Sequence, residues 1–189
     1  MEDFFELLQT RRSIRQFEDK EVSLETIREI IEESCLAPSA ANGQPWKFIV
    51  VNNKDMIKRL SDESKKNILA FIEQNPDSPS KNYEAAMRNP DFNVFYNAPS
   101  LVYIVGSKQA RNLYVDCSLA ACYFMFGATA RGLGTCWVGL GTSILDPDLL
   151  ELMQVPEDHK IVAPLILGYP KGIPDTPQRS EPQILKILN

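Results

Sequence analysis

The sequence has one histidine and no Cys-x-x-Cys pair. The histidine is His159, and the cysteines are Cys35, Cys117, Cys122 and Cys136. Structural zinc sites usually take paired ligands at short spacing, so this pattern predicts no metal site and favours buried, reduced thiols. A Ser-His-Asp or Cys-His catalytic centre would have to use His159. That residue lies in a polar stretch ahead of a predicted strand, where we expect a surface turn rather than a catalytic base.

The chain also lacks an excess of positive charge and any long apolar run. Its formal net charge is -5, which argues against a general binder of nucleic acid or of anionic membranes. No apolar stretch approaches the length of a membrane span, and the N-terminal residues show no signal-peptide pattern. We therefore expect a cytoplasmic protein. Its 189 residues, with no internal repeat, predict a single domain over residues 1–189.

Against this acidic background, positive charge is concentrated near the N-terminus. Arg11, Arg12 and Arg15 surround Ser13. The guanidinium group is permanently charged and its planar fork of donors matches phosphate oxygens, while a hydroxyl and backbone N–H groups could complete an anion cradle. Taken alone, the cluster is more simply a solvated basic turn that follows a short amphipathic helix at 4–8. The rest of the sequence has to decide between these interpretations.

Hydrophobic spacing predicts helices and strands along most of the chain. The predicted helices cover 24–36, 54–73, 83–88, 111–131 and a segment capped by Asp146 that ends at Met153. The predicted strands cover 47–51, 101–105 and 161–168. Pro164 lies inside the last strand, which suggests an edge position or a bulge.

The predicted helix 111–131 has almost no polar face. A helix that is apolar all round must be buried, and one this long is difficult to bury within a small protomer. We therefore predict a subunit interface, with a central helix of a monomer as the alternative. The small residues that would allow close approach of another helix are Ala120, Ala121, Gly127 and Ala128. The proline-rich tail from Tyr169 is predicted to be extended and could wrap a partner subunit.

Three irregular segments are candidates for binding. In 38–46, Asn42 and Gln44 offer the donors and acceptors that a planar heterocycle needs, although an ordinary helix-to-strand connection is equally compatible. The glycines of 132–141 permit close backbone approach to a planar or charged group, but the segment has neither a Rossmann fingerprint nor a P-loop. The segment 89–97 could form a lid over a pocket, although covering a core edge is the favoured interpretation. Its aromatic residues are Phe92, Phe95 and Tyr96.

In this order and spacing, the segments resemble the nitroreductase family of FMN-dependent oxidoreductases over almost the whole chain. The motifs that carry the resemblance are Arg-Arg-Ser-Ile-Arg-Gln-Phe at 11–17, Pro-Ser-Ala-Ala-Asn-Gly-Gln-Pro-Trp at 38–46, Gly-Leu-Gly-Thr-Cys-Trp-Val-Gly at 132–139, Leu-Gly-Tyr-Pro at 167–170 and the late Arg179. The resemblance implies an α+β fold with a central mixed β-sheet flanked by helices, and an intertwined homodimer with FMN at the subunit interface. It also implies NAD(P)H-driven, ping-pong reduction of nitroaromatics, quinones or similar acceptors.

The resemblance also implies roles for individual residues. Those that would contact the FMN phosphate and ribityl chain are Arg11, Arg12, Ser13 and Arg179. Arg15 would approach the N1/O2 edge of the isoalloxazine ring and act as the catalytic residue. The residues that would come from the other subunit are Pro38, Ser39, Ala40, Asn42 and Gln44. The backbone of Trp137, Val138 and Gly139 would line the ring near N5 and O4.

Two departures from the family pattern leave the acceptor open. Pro177 stands where some relatives have a lysine, and the segment 91–96 contains no lysine that could reach the ring. The sequence does not indicate whether NADH or NADPH is the electron donor. The alternatives are a specialised flavin reductase, enone reductase or dehalogenase of the same family, and a non-catalytic flavin-binding sensor or carrier.

Overall fold

A computed structural model describes residues 4–188 and contains helices and strands in alternation. Its α-helices are α1 (Phe4–Thr10), α2 (Leu24–Ser34), α3 (Lys54–Gln74), α4 (Glu84–Arg88), α5 (Leu113–Thr129) and α6 (Pro147–Leu152). Its strands are β1 (Trp46–Val51), β2 (Ser100–Ser107), β3 (Gly134–Trp137) and β4 (His159–Gly168). Side chains of Ser23, Asn53 and Asp146 cap α2, α3 and α6. The predicted α+β class is confirmed.

The four strands form one sheet in the order β1-β2-β4-β3, and each neighbouring pair is antiparallel. Within residues 4–188, parallel pairing is limited to an isolated bridge between Ser13 and Thr135. The mixed character predicted for the sheet is thus confined to that bridge. β3 was not predicted, because its four residues lie in a glycine-rich stretch that has no alternating pattern.

Pro164 lies in the inner strand β4, so the prediction of an edge position is wrong. It pairs with Tyr103 of β2, and its carbonyl accepts a hydrogen bond of 2.9 Å from the N–H of Val138. The Pro164 nitrogen faces the same side, just beyond the end of β3, so its missing N–H leaves no strand partner unpaired. The alternative of a bulge fits better, since the β2–β4 register shifts between Ile104 and Val105.

The sheet separates two hydrophobic clusters, because alternate residues of a strand face opposite sides. Leu101, Tyr103 and Val105 of β2 pack with the inner face of α3. Val102 and Ile104 pack on the other side, with α2 and α5. The four cysteines are free: Cys117 and Cys136 are buried, and Cys35 and Cys122 are half-buried. Among the described residues, no helix is both long and apolar enough to cross a membrane.

The two faces of α5 have different surroundings. Ala120, Ala121 and Ala128 are fully buried within their own chain. A Cβ built on Gly127 would lie 2.8 Å from Glu33 Oε2 and 3.6 Å from Ile30 Cγ2, both on α2. The helix that approaches Gly127 is therefore α2 of the same chain. The opposite face exposes Tyr114, Val115 and Tyr123.

The tail begins beside the arginines and then leaves the body of the chain. Phe17 bridges Pro170, and Lys171 N–H donates to the Gln16 carbonyl at 3.0 Å. Residues 172–188 have no helix or strand. Their apolar side chains are exposed, and Leu185 reaches 96% exposure. This agrees with the prediction of an extended tail.

Candidate functional site

The arginine segment, residues 11–15, lies alongside β3. Ile14 N–H donates to the Thr135 carbonyl at 2.9 Å, and the Ile14 side chain is buried. A Cβ on Gly134 would lie 2.7 Å from an Ile14 methylene carbon, so glycine is required for this close approach. The Ser13 side chain forms a hydrogen bond with the buried Cys136 thiol, whereas the Arg15 side chain is exposed. The register with β3 thus fixes how the polar side chains are presented.

Two polar atoms at the arginine segment are buried without a partner among residues 4–188. They are Nε of Arg12 and Oγ1 of Thr135, the residue that bridges Ser13. The other Arg12 nitrogens are engaged, since Nη1 donates to the Arg11 carbonyl at 2.8 Å and Nη2 donates to Thr176 Oγ1. An unpaired buried polar group costs about 1–3 kcal/mol. The segment therefore fits an anionic ligand that accepts hydrogen bonds.

The cavity beside Arg12 is small. Its volume is about 170 Å³, and its lining includes Thr10, Arg12, Thr129 and Gly132. Sites for whole cofactors usually measure about 300–1,000 Å³. This cavity is smaller than that range, so a flavin ring would have to lie elsewhere.

Arg15 is exposed and is held by two weak contacts. Its Nη1 donates to the Ser13 carbonyl at 3.4 Å, and its guanidinium carbon lies 5.6 Å from the centre of the Tyr96 ring. Tyr96 and Asn97 both have a φ of 53°, which is uncommon for residues other than glycine. Burial raises the pKa of the nearby Cys136 thiol, and the charges of Arg15 and Arg11 oppose that rise. Arg15, Tyr96 and Cys136 thus lie together beside the end of β3.

The predicted ring-lining segment follows β3 directly. Trp137 is half-buried, and Val138 is buried with its N–H committed to the Pro164 carbonyl. No atom lies within 4 Å of a Cβ built on Gly139, so there is open space at that position. Of the three predicted residues, Gly139 therefore offers the most accessible backbone.

Polar side chains of α3 hold the turn after Gly139 in place. Ser64 Oγ donates to the Leu140 carbonyl at 2.8 Å, and Asn67 donates to the Ser143 carbonyl at 2.9 Å. Glu63 accepts from Asn67 at 2.6 Å and from Asp146 N–H at 3.1 Å. Burial acts to raise the pKa of Glu63, but hydrogen bonds from Asn67 and Lys66 outweigh it and lower the pKa. None of these residues was predicted. Ser64 lies at helical spacing from Leu60 and Ile68, and this polar position on an apolar face was a visible signal.

The amide loop, residues 38–46, has an unusual backbone. Ala41, Asn42 and Gln44 have φ values of 51°, 53° and 43°, and each such residue costs about 1–3 kcal/mol when it is not glycine. Gln44 N–H donates to Ser39 Oγ at 3.0 Å, and Gln44 Nε2 donates to Asn42 Oδ1 at 3.0 Å. The side chains of 40–44 are exposed. Hydrogen bonds rather than packing therefore set the shape of this loop.

Within one chain, the amide loop and the arginine segment meet different ends of α5. Ala40 N–H donates to Asp116 Oδ1 at 3.1 Å, in the first turn of α5. Arg12 shares its cavity with Thr129, the last residue of α5. At a rise of 1.5 Å per residue, these two contact points are about 20 Å apart along the helix. Arg179 is exposed on the tail, shortly after Thr176, which contacts Arg12. The predicted site residues therefore form two separate groups.

The aromatic residues of 89–97 mostly cover the core. Phe95 is fully buried against Tyr103, with ring centres 6.2 Å apart. Lys65 Nζ donates to the Phe92 carbonyl at 3.0 Å, and Val94 N–H donates to Ser61 Oγ at 2.8 Å. These bonds pin the segment to α3. The favoured interpretation of a core cover holds for Phe95, whereas Phe92 and Tyr96 are half-buried.

His159 lies at the end of a turn and has a carboxylate partner. It is the first residue of β4, its side chain is only 8% exposed, and Nδ1 lies 2.7 Å from Asp158 Oδ1. The predicted surface turn is confirmed, because His159 N–H donates to the Pro156 carbonyl at 2.8 Å and residues 156–158 are exposed. Ser107 Oγ donates to Asp158 at 3.0 Å. A catalytic triad needs the serine on the histidine instead, so this group does not form one.

The chain matches a model of known protein families over most of its length. The matching model is described as the nitroreductase family and covers residues 8–169. An Archaeoglobus fulgidus protein named "Putative NADH dehydrogenase/NAD(P)H nitroreductase" is 34% identical over 93% of this chain and 90% of its own length. Iodotyrosine deiodinase 1 of Sus scrofa is 25% identical over 97% of this chain and 68% of its own length.

The fold is also similar to solved structures. A Bacteroides fragilis nitroreductase with bound FMN superposes with a TM-score of 0.84, at 24% identity, over the whole of both chains. An oxidized iodotyrosine deiodinase bound to FMN and 3-iodo-L-tyrosine gives a TM-score of 0.77, at 20% identity, over 95% of this chain and 96% of that one.

Proposed function

Since this chain belongs to the nitroreductase family, we propose that it is an FMN-dependent oxidoreductase that transfers electrons from NAD(P)H to a small organic acceptor. The acceptors would be nitroaromatics, quinones or similar compounds. The observation that carries the proposal is the pair of unpaired buried atoms, Arg12 Nε and Thr135 Oγ1, beside a cluster of arginines. An acidic chain needs such a local concentration of positive charge to hold an anionic cofactor.

Bound FMN would supply the redox chemistry, and the protein would supply binding and electrostatics. Arg11, Arg12 and Ser13 would hold its phosphate, with Arg179 as a second clamp. Each charge-assisted hydrogen bond contributes about 1.5–3 kcal/mol, so several together make a tight site. We assign Arg15 to the ring's N1/O2 edge, where its permanent charge favours the reduced, negatively charged ring over the oxidised one.

We further propose that two copies of the chain share each FMN. The arginine segment and the amide loop contact opposite ends of α5, and the outer face of that helix is apolar and exposed. A second copy packed antiparallel along this face would bring its amide loop to the first copy's arginines. Pro38, Ser39, Ala40, Asn42 and Gln44 would then contact FMN from the partner, while the extended tail wraps around it. The result is an intertwined homodimer.

An active enzyme needs access to the ring, whereas a sensor or carrier does not. The open space beside Gly139 favours an enzyme, with Trp137, Val138 and Gly139 along the ring. With one pocket, nicotinamide must leave before the acceptor enters, so the kinetics would be ping-pong. The identity with iodotyrosine deiodinase 1 supports a dehalogenase as the second candidate.

Two features support the predicted cellular location and the predicted number of domains. The four free cysteines support a cytoplasmic location, because disulfides are rare in that compartment. A single sheet with one hydrophobic cluster on each side supports one domain over residues 1–189.

Purified protein and an acceptor screen test the proposal. The protein should be yellow and release FMN on denaturation, and recovery of FAD would contradict the phosphate assignment. With NADH and NADPH, it should reduce a nitroaromatic, a quinone or a halogenated phenol, with parallel double-reciprocal lines. Purified protein that does not bind added FMN would contradict the whole proposal. Protein that binds FMN but reduces none of the acceptors would be a carrier.

A further inference from the structure

Asp116 is a buried carboxylate within the first turn of α5. It is 5% exposed, and no ion pair involving it is present among residues 4–188. A carboxylate in such a place needs hydrogen-bond donors, and the positive end of the helix dipole also favours it. The donor that the structure provides is the backbone N–H of Ala40, 3.1 Å from Oδ1. Among the described residues, the hydrogen bond to the Asp116 carboxylate therefore comes from the amide loop.

That loop has little else to hold it against the rest of the chain. Residues 39–44 bond mainly among themselves: Asn42 N–H donates to the Ser39 carbonyl at 3.0 Å, and Gly43 N–H donates to the Ala40 carbonyl at 3.0 Å. Among the described residues, the bond from Ala40 to Asp116 is the one hydrogen bond that links 39–44 to another element. The side chains of residues 40–44 are exposed, and three of these residues adopt left-handed φ values. Strained backbone persists only where its surroundings enforce it.

We propose that Asp116 is a positioning residue that holds the amide loop in the conformation that binds FMN of the partner subunit. The inference rests on the proposed function, because it takes the amide loop as part of a flavin site. Asp116 lies on the helix whose outer face would form the interface. Its hydrogen bond therefore fixes the loop relative to the interface helix, and hence relative to the partner's arginines.

The test compares two variants at position 116 by titrating the apoprotein with FMN and following flavin fluorescence. Asp116→Ala removes the acceptor and should weaken FMN affinity about tenfold or more, the loss expected for a charge-assisted hydrogen bond. Asp116→Asn keeps an acceptor oxygen at the same distance and should stay closer to wild type than to Asp116→Ala. Equal affinity of wild type and Asp116→Ala would overturn the proposal, as would an Asp116→Asn variant as weak as Asp116→Ala.

Hydrogen exchange gives a readout that does not depend on flavin. In the apoprotein, the Ala40 amide should be protected in wild type and in Asp116→Asn, and should exchange faster in Asp116→Ala. The amide of Val94, bonded to Ser61, serves as an internal control that should not change. An Ala40 amide that exchanges at the same rate in all three proteins would overturn the proposal.

A substitution at Ala40, whose N–H is the donor of this hydrogen bond, keeps the proposal testable if Asp116→Ala does not fold. Ala40→Pro removes the N–H, and it suits the backbone because Ala40 opens a 3₁₀ turn after an extended Ser39 (φ -142°, ψ 155°). Ala40→Pro should weaken FMN binding as Asp116→Ala does, and Asp116→Asn should cost nothing further in the Ala40→Pro background. Retained wild-type affinity in Ala40→Pro would overturn the proposal. Failure of wild type to bind FMN would instead overturn the proposed function.

Discussion

The two ends of α5 carry groups that differ in charge and in the way they are held. At the C-terminal end, the arginine segment is cationic, and pairing with β3 fixes its backbone. At the N-terminal end, the amide loop is uncharged and strained, and one side-chain carboxylate ties it to the helix. The first suits a phosphate, and the second suits the polar edges of a heterocycle. In one chain they are about 20 Å apart along α5, which is why we propose that each FMN site combines groups from two copies.

The two faces of α5 also differ, both in the size of their side chains and in what those side chains contact. The face with small residues packs on α2 of the same chain, where Gly127 allows Glu33 to approach. The outer face carries exposed aromatic and aliphatic side chains and meets α1, whose Phe4 ring lies 6.1 Å from Phe126. Close packing within the chain therefore uses the small residues, and the large residues are available for a second copy.

The largest expected effect comes from removing charge at the arginine end. Arg11→Ala combined with Arg12→Ala removes two charged donors and should weaken FMN binding roughly 100-fold or more. Arg28→Ala, at an exposed position of α2, is the matched control and should bind FMN like wild type. Fluorescence titration measures both affinities. If the double variant binds as tightly as the control, the phosphate lies elsewhere.

Charge on the outer face of α5 should separate the two halves of each site. Val115→Glu combined with Tyr123→Glu places carboxylates in the proposed apolar interface, so the dimer should dissociate and release FMN together. Light scattering and flavin absorbance measure the two events. Gly127→Leu is the contrasting change: it should lower the melting temperature by disrupting α2 against α5. A monomer that retains tightly bound FMN would contradict the shared site.

A smaller effect is expected where Tyr96 faces Arg15. A cation–π contact at an exposed site contributes about 0.5–1 kcal/mol, so Tyr96→Leu should slow flavin reduction by NAD(P)H roughly two- to fivefold. Tyr96→Phe keeps the ring and should be close to wild type. Stopped-flow absorbance measures the reductive half-reaction. Equal rates in Tyr96→Leu and Tyr96→Phe would show that the ring does not position Arg15.

The smallest effect concerns Glu63 behind the ring-lining turn. Its pKa is lowered in the folded protein, so its contribution to stability is present above the ordinary value of 4.5 and is lost as the pH falls through the lower folded value. Wild type should therefore lose more stability than Glu63→Gln between pH 6 and the acid transition. Thermal melts across that range measure the difference, and parallel profiles would contradict the assignment.

Sequence pattern predicted the parts of this fold that depend on local spacing. α2 and α3 were predicted within two residues, because each has a clear apolar face and a capping side chain. β3 has four residues and no alternation, so only its pairing with β4 and Ser13 defines it. The family motifs named the arginine segment and the amide loop. They did not indicate Asp116 or Glu63, because a carboxylate on a helix gives no sign of burial until the tertiary contacts are known.

A complementation experiment tests the shared site most directly. One chain carries Arg11→Ala with Arg12→Ala, the other carries Asn42→Ala with Gln44→Ala, and the two are purified as a heterodimer with different tags. One site then combines both defects, and the other combines the two intact groups. The account predicts one FMN per heterodimer at wild-type affinity, although neither homodimer holds FMN tightly. A heterodimer that binds FMN no better than the homodimers would contradict it.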